Sequence, residues 1–181
     1  TTYGRVQKIY ADAINNGLDC RYLAYRNDTI DKHMKEIRQQ LHGRDVQGFV
    51  VGEPVTSLTS IQGVINNNHE GNITHIGEVT KLHGITCTPV TLDNELTVFA
   101  AIDIKEKQNK EIGFFRLFDK FKAQAGLTTD FKAKADALEK SQEASAKGYK
   151  IRDEIAELRP CVASTVHKAQ GSTFDVAIVD V

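Results

Sequence analysis

A chain of 181 residues is long enough to bury a substantial core, either as one medium domain with an insertion or as two small ones. Its 40% hydrophobic and 26% charged residues are ordinary globular usage and exclude an intrinsically disordered chain. With 23 Lys and Arg against 24 Asp and Glu the formal charge is -1, so any hold on nucleic acid must come from a local cluster of positive groups.

Three widely spaced cysteines, Cys20, Cys87 and Cys161, are odd in number and argue for free thiols in a reducing compartment rather than a disulfide framework. No run approaches the roughly 20 apolar residues of a membrane span, and no signal-peptide layout opens the chain, so a cytoplasmic protein without a membrane partner is expected. The chain opens inside a helical pattern and stops at Val181 inside an apolar run, as an excised fragment would.

In chain order, Val6, Ile9, Tyr10, Ala13 and Ile14 form one helical stripe that Asn16-Gly17 stops. The run from Cys20 to Tyr25 reads as a strand. Asn27-Asp28-Thr29 then predicts a cap for a helix whose apolar side is Ile30, Met34, Ile37 and Leu41. Strand, polar turn and helix is the rhythm of an α/β sheet. From about 48 to 104 the texture changes to short β-rich runs, FVVG, SIQGVI, ITHIGEVTKL, ITCTPVTL and LTVFAAIDI, separated by turn residues; this predicts a small antiparallel barrel with a hairpin tip at 66–72. Phe114, Leu117, Phe118, Phe121 and Ala125 predict a strongly amphipathic helix, and 127–147 a more exposed helix or hairpin arm. Ile151, Ile155 and Leu158 read as a last helical stripe ending at Pro160. The runs 161–164 and 176–179 read as two buried strands.

Between those strands lies the segment richest in chemistry, TVHKAQGSTFD. It places hydroxyls, an imidazole, an ammonium and a carboxamide at the end of a strand, where open α/β sheets keep their ligand sites. Hydroxyls, backbone N–H groups and Lys suit phosphate oxygens, and Gly171 allows close backbone approach. The alternative is a capped turn in which Thr165 and Ser172 only satisfy local backbone groups.

TVHKAQGSTFD resembles motif V of superfamily 1 helicases in the form found in the RecD-like and phage Dda-like group. LAYRNDTIDKHMKEIRQQL is similar to motif IV of that family, and GFVVGEPVTSL followed by EGNITHIGEVTKL resembles the Src-homology-3-like barrel inserted between those motifs. The resemblance implies an α/β, RecA-like second motor domain in residues 1–47 and 105–181, with a helical insertion at about 105–159 and the inserted antiparallel barrel at 48–104. It implies the C-terminal part of an ATP-dependent 5′-to-3′ DNA helicase, in the cytoplasm of a bacterium or phage-infected cell. Such a domain binds single-stranded DNA and completes the ATP cleft of a first RecA-like domain. By motif position, Thr165, His167 and Lys168 are expected on the DNA side, Gln170 and Gly171 on the nucleotide side, and Arg26 and Asn27 in motif IV against either. ATP and Mg²⁺ are expected in the full-length protein and neither on this chain alone, since no G-x-x-x-x-G-K-[ST] loop occurs in it. The motif with the catalytic arginine would follow Val181. A non-catalytic RecD-like or interaction module, and an RNA-directed relative, are the other readings.

Three features invite functional readings that their patterns oppose. His69, His75 and His83 lack zinc-ligand spacing, so no metal is expected. Phe114, Phe115, Phe118 and Phe121 fall at helical spacing and read as core rather than as a stacking platform. Lys132 to Lys150 is interleaved with Asp and Glu and reads as a solvated face, with a DNA-facing arm as the alternative.

Overall fold

The computed structural model describes residues 2–43, 46–93 and 95–180, so Val181, named above, lies outside the described residues. It is a mixed α/β protein whose contacts divide it into two compact units. The first comprises Thr1–Thr56, Glu70–Ile73 and Arg159–Val181; the second Ser57–His69 and Thr74–Leu158.

In the first unit, helix α1 (Thr2–Asn15) leads to strand β1 (Cys20–Ala24), all five of whose residues are buried, and then to helix α2 (Asn27–His42). β1 is the middle of a parallel three-stranded sheet, flanked by β9 (Ala163–Thr165) and β10 (Val176–Val179). A central parallel strand has no solvent face, which accounts for the burial of all of CRYLA, the charged Arg21 included. Tyr10 and Ala13 of α1 and Ile30 and Ile37 of α2 pack with Tyr22, Ala24, Val162 and Ala163 into one core. Ile9 and Ile14, counted on the same stripe, are exposed. The cap expected from Asn27-Asp28-Thr29 is also corrected: Arg26 is the N-cap residue, with no side-chain cap bond, and Asn27 begins the helix. β10 was expected to be buried; as the outer strand of the sheet it alternates half-buried and exposed residues.

Within the same unit, Pro54–Thr56 of β2 (Pro54–Ser57) pair antiparallel with Glu70–Asn72 of β3 (Glu70–Ile76). Ion pairs tie its elements together, two of them part-buried and the third exposed. Arg21 of β1 forks onto Glu70 at 3.0 and 3.3 Å, Arg38 of α2 reaches Glu53 at 2.9 Å, and Arg159 pairs with Asp31.

In the second unit, β4 (Thr80–Leu82), β5 (Ile85–Leu92) and β6 (Thr97–Ala101) form an antiparallel meander, and β7 (Ile155–Ala156) adds parallel to β6. The FVVG run, which falls in the first unit, is turn and irregular backbone, and SIQGVI holds a single bridge between Ile61 and Ile65. The tip expected at 66–72 is shorter, because Glu70 already begins β3.

Helices α3 (Ile104–Leu127) and α4 (Phe131–Glu154) form an antiparallel hairpin. The tip of the Phe115 ring abuts Gly148, where an added Cβ would sit 3.0 Å from Cζ. Ile151 and Ile155 pack with Ile85 and Ala101, and Phe114 joins them. Leu117, counted on the apolar stripe, is exposed. α4 ends at Glu154, so Ile155 and Leu158 are strand residues of β7 and β8 (Leu158–Pro160) rather than the helical stripe expected. Lys107 is fully buried (0% exposed), donating to Glu157 at 2.8 Å with Glu111 at 3.5 Å. Gln108 donates to the other oxygen of Glu157 at 2.8 Å, and Arg152 to Glu111 at 2.9 Å.

Removing one partner from that network leaves a buried charge without compensation. Glu157→Ala is expected to lower unfolding free energy by about 3–5 kcal/mol, read from urea denaturation of wild type and variant. Burial also pushes the Cys20 thiol up to about 11 and the Cys161 thiol up to about 12. Both are expected to resist a disulfide reagent in the native protein at neutral pH and to react fully in denaturant.

Candidate functional site

The register of the parallel sheet builds the site. Ala24, the last residue of β1, stands opposite Thr165, the last residue of β9. The strands run the same way, so the chain leaves both at one edge. Tyr25-Arg26-Asn27 and Val166-His167-Lys168 therefore emerge side by side, and the Val166 N–H donates to the Ala24 carbonyl at 3.1 Å. This is the C-terminal edge of parallel strands, where side chains and free backbone donors converge in open α/β sheets.

The segment after β9 is a run of turns rather than a helix. Thr165 starts it: its hydroxyl accepts from the Lys168 N–H at 3.3 Å and its carbonyl from the Ala169 N–H at 3.1 Å. Ser172 N–H donates to Ala169 O at 3.1 Å, with Gly171 at φ +86° between them. That φ favours glycine, and no neighbour lies within 4 Å of where a Cβ would stand. His167, Lys168, Gln170 and Gly171 are all exposed, while Thr165 is half-buried. The segment then returns to the opposite end of β1. Phe174 lies 4.9 Å from the Arg21 guanidinium, and Asp175 accepts from the Asp19 N–H at 2.9 Å.

Tyr25 was read only as a strand residue, yet its ring is 80% exposed and lies 6.4 Å from that of His167. The signal available was its place just beyond the buried run. Arg26 is exposed and folded back on Asp28, with bonds of 2.7 and 3.1 Å. The Thr29 N–H at 2.9 Å, and then this guanidinium, hold the Asp28 carboxyl below its ordinary range. Arg26, Asn27, Thr165, His167 and Lys168 thus share one edge, with Gln170 and Gly171 on the same turn. Cationic donors, a hydroxyl and a flat ring together suit a ligand with phosphates and bases.

Among the described residues no group of three His, Cys, Asp or Glu could hold a metal ion, and no helix is long and apolar enough to cross a membrane. His83 is occupied at 2.7 Å by Glu154. No family model matches the chain, and no curated protein matches it in sequence.

Gly171→Ala tests the backbone of the turn by itself. With open space around the added methyl, the cost is conformational, about 1–2 kcal/mol, and should appear in denaturant midpoints without loss of the sheet's circular dichroism.

Proposed function

We propose that this chain is the second, RecA-like motor domain of an ATP-dependent superfamily 1 DNA helicase that moves 5′ to 3′. Residues 48–104 are its inserted Src-homology-3-like barrel and about 105–159 its helical insertion. It binds single-stranded DNA and closes on ATP held by a first RecA-like domain. The observation that carries this reading is the register of Ala24 against Thr165, which puts the motif IV-like and motif V-like segments at one sheet edge. The antiparallel meander β4–β6 and the hairpin α3–α4 support the two insertions.

At this edge Thr165, His167 and Lys168 hold the phosphate backbone of the strand, and Gln170 and Gly171 face the nucleotide. The residues fit one wall of an ATP site. Arg26 and Gln170 are donors for phosphate and Tyr25 offers a face to a base; of the carboxylates at the edge, Asp28 is engaged by Arg26, and Asp180 stands exposed just after β10, its N–H on the Leu23 carbonyl at 2.8 Å. With no G-x-x-x-x-G-K-[ST] loop in this sequence, the phosphate loop and the Mg²⁺ ligands that go with it are assigned to the other domain. When bound there, ATP supplies the energy for closure; this chain's part is to orient the strand and sense the phosphates. Arg26 must leave Asp28 to do so, an exchange of one exposed pair for another that costs little.

A non-catalytic module of the same fold is the second reading. It is favoured by the local engagement of the Thr165 hydroxyl with Lys168 N–H and of Arg26 with Asp28.

Lys168→Ala is expected to weaken single-stranded DNA binding on all sequences and to flatten the slope of log affinity against log salt by about 0.7. Titration of labelled DNA and RNA strands at several salt concentrations reads both quantities; an unchanged slope removes Lys168 from the interface, and equal or tighter RNA binding favours an RNA-directed motor. In a motor that includes the first domain, Gln170→Ala is expected to lower ATP turnover and leave DNA affinity intact. The 181-residue chain alone is expected to turn over no ATP, with DNA-stimulated turnover the result that overturns the assignment.

A further inference from the structure

The hairpin of α3 and α4 ends in an apex that hides neither of its large apolar side chains. Leu127 is 87% exposed and Phe131 88%. The turn beneath them is nevertheless tied by hydrogen bonds at both helix ends. Thr128 N–H donates to Gln124 O at 3.2 Å, and Asp130 caps α4 by accepting from the Ala133 N–H at 2.7 Å. Lys134 N–H closes the first turn on Asp130 O at 3.0 Å. Two apolar groups are thus held out in water by an ordered turn.

The charge around the apex differs from that of the chain. Over 116–140, Arg116, Lys120, Lys122, Lys132, Lys134 and Lys140 are exposed against Asp119, Asp130, Asp136 and Glu139, and Asp130 is spent as the cap. A local excess of cations in a chain of charge -1 selects an anionic partner.

We propose that this apex is a binding surface for single-stranded nucleic acid, with Phe131 and Leu127 against base faces and the surrounding lysines on phosphates. An aromatic ring beside exposed cations is the combination such strands require, since every base has a face to stack and every link a charge. A second copy of the chain fits less well. Two side chains of this size fall short of the roughly 1,200 Å² that a stable interface buries. A lipid surface fits less well too, because Asp130 stands between the two apolar residues in the chain and its carboxylate would be carried into the headgroups with them. The surface is separate from the strand-edge site and does not depend on it.

The test uses the whole chain and a fluorescein-labelled oligothymidylate of about 12 nucleotides, within the span of known single-strand sites. Phe131→Ala is expected to weaken binding by about fivefold or more, and Phe131→Tyr to restore it. On an abasic strand of equal length Phe131→Ala should have no effect, because no base remains to stack. Lys132→Gln with Lys134→Gln should flatten the salt slope by about 1.4 on both strands. Unchanged oligothymidylate affinity in Phe131→Ala, or an equal loss on the abasic strand, overturns the proposal. So does oligonucleotide binding indifferent to Phe131 alongside Phe131-dependent sedimentation with phosphatidylserine vesicles or Phe131-dependent self-association. Lys168→Ala measured in parallel separates the two sites: a loss there with Phe131→Ala silent removes the apex alone, and the converse removes the strand edge alone. Circular dichroism is expected to be unchanged in the apex variants, whose side chains are exposed.

Discussion

The first unit depends on one strand that cannot be wetted. β1 is paired on both sides and buried along its length, with α1 and α2 contributing to its core. A strand in that position satisfies its amides only through its neighbours, so β9 and β10 must meet it in register or leave buried donors unpaired. That requirement positions the candidate site. Once Tyr22 is opposite Ala163, Ala24 falls opposite Thr165, and the two polar segments beyond them have a single edge to share.

The same strand explains why the segment after β9 need not be a helix to be ordered. It is fastened at the top of β1 through Val166 and Ala24, and at the bottom through Phe174 over Arg21 and Asp175 on Asp19. The exposed turn between those ties carries His167, Lys168 and Gln170. Arg21 is itself fixed by Glu70. A guanidinium covered by a ring and forked onto a carboxylate gives the outgoing chain a rigid post, which suits a loop whose side chains must be held for a ligand.

Much of this was legible where periodicity and burial agree. α2 was legible from Ile30, Met34, Ile37 and Leu41, and β1 from the short, mostly apolar Cys20–Tyr25 run between turn residues, because helix stripes and buried strands leave clear patterns. Ile151, Ile155 and Leu158 misled because spacings of four and three also arise by chance across a helix that stops at Glu154 and passes into strands. SIQGVI has strand composition but finds only one bridge partner. The buried charges were not legible: nothing in the sequence singles out Lys107, Glu157, Glu53 or Arg21, because their partners are distant in the chain and such residues are seldom fully buried unless paired. At the candidate site the chemistry of 165–171 was readable from residue types. Tyr25 was not, because a tyrosine at the end of an apolar run looks like core until the strand is seen to stop at Ala24.

The parallel pairing of β1 also sets an order of events during synthesis. At about 5–20 residues per second, β1 leaves the ribosome on the order of 10 s before the residues of β9 are made. Its two edges are bare through that interval, and a bare apolar strand is a template for pairing with other chains. The second unit lies almost wholly inside the gap, and its long hairpin and meander make their contacts locally, so it can fold while β1 waits. In this chain the middle is therefore built first, and the sheet that carries the candidate site closes last.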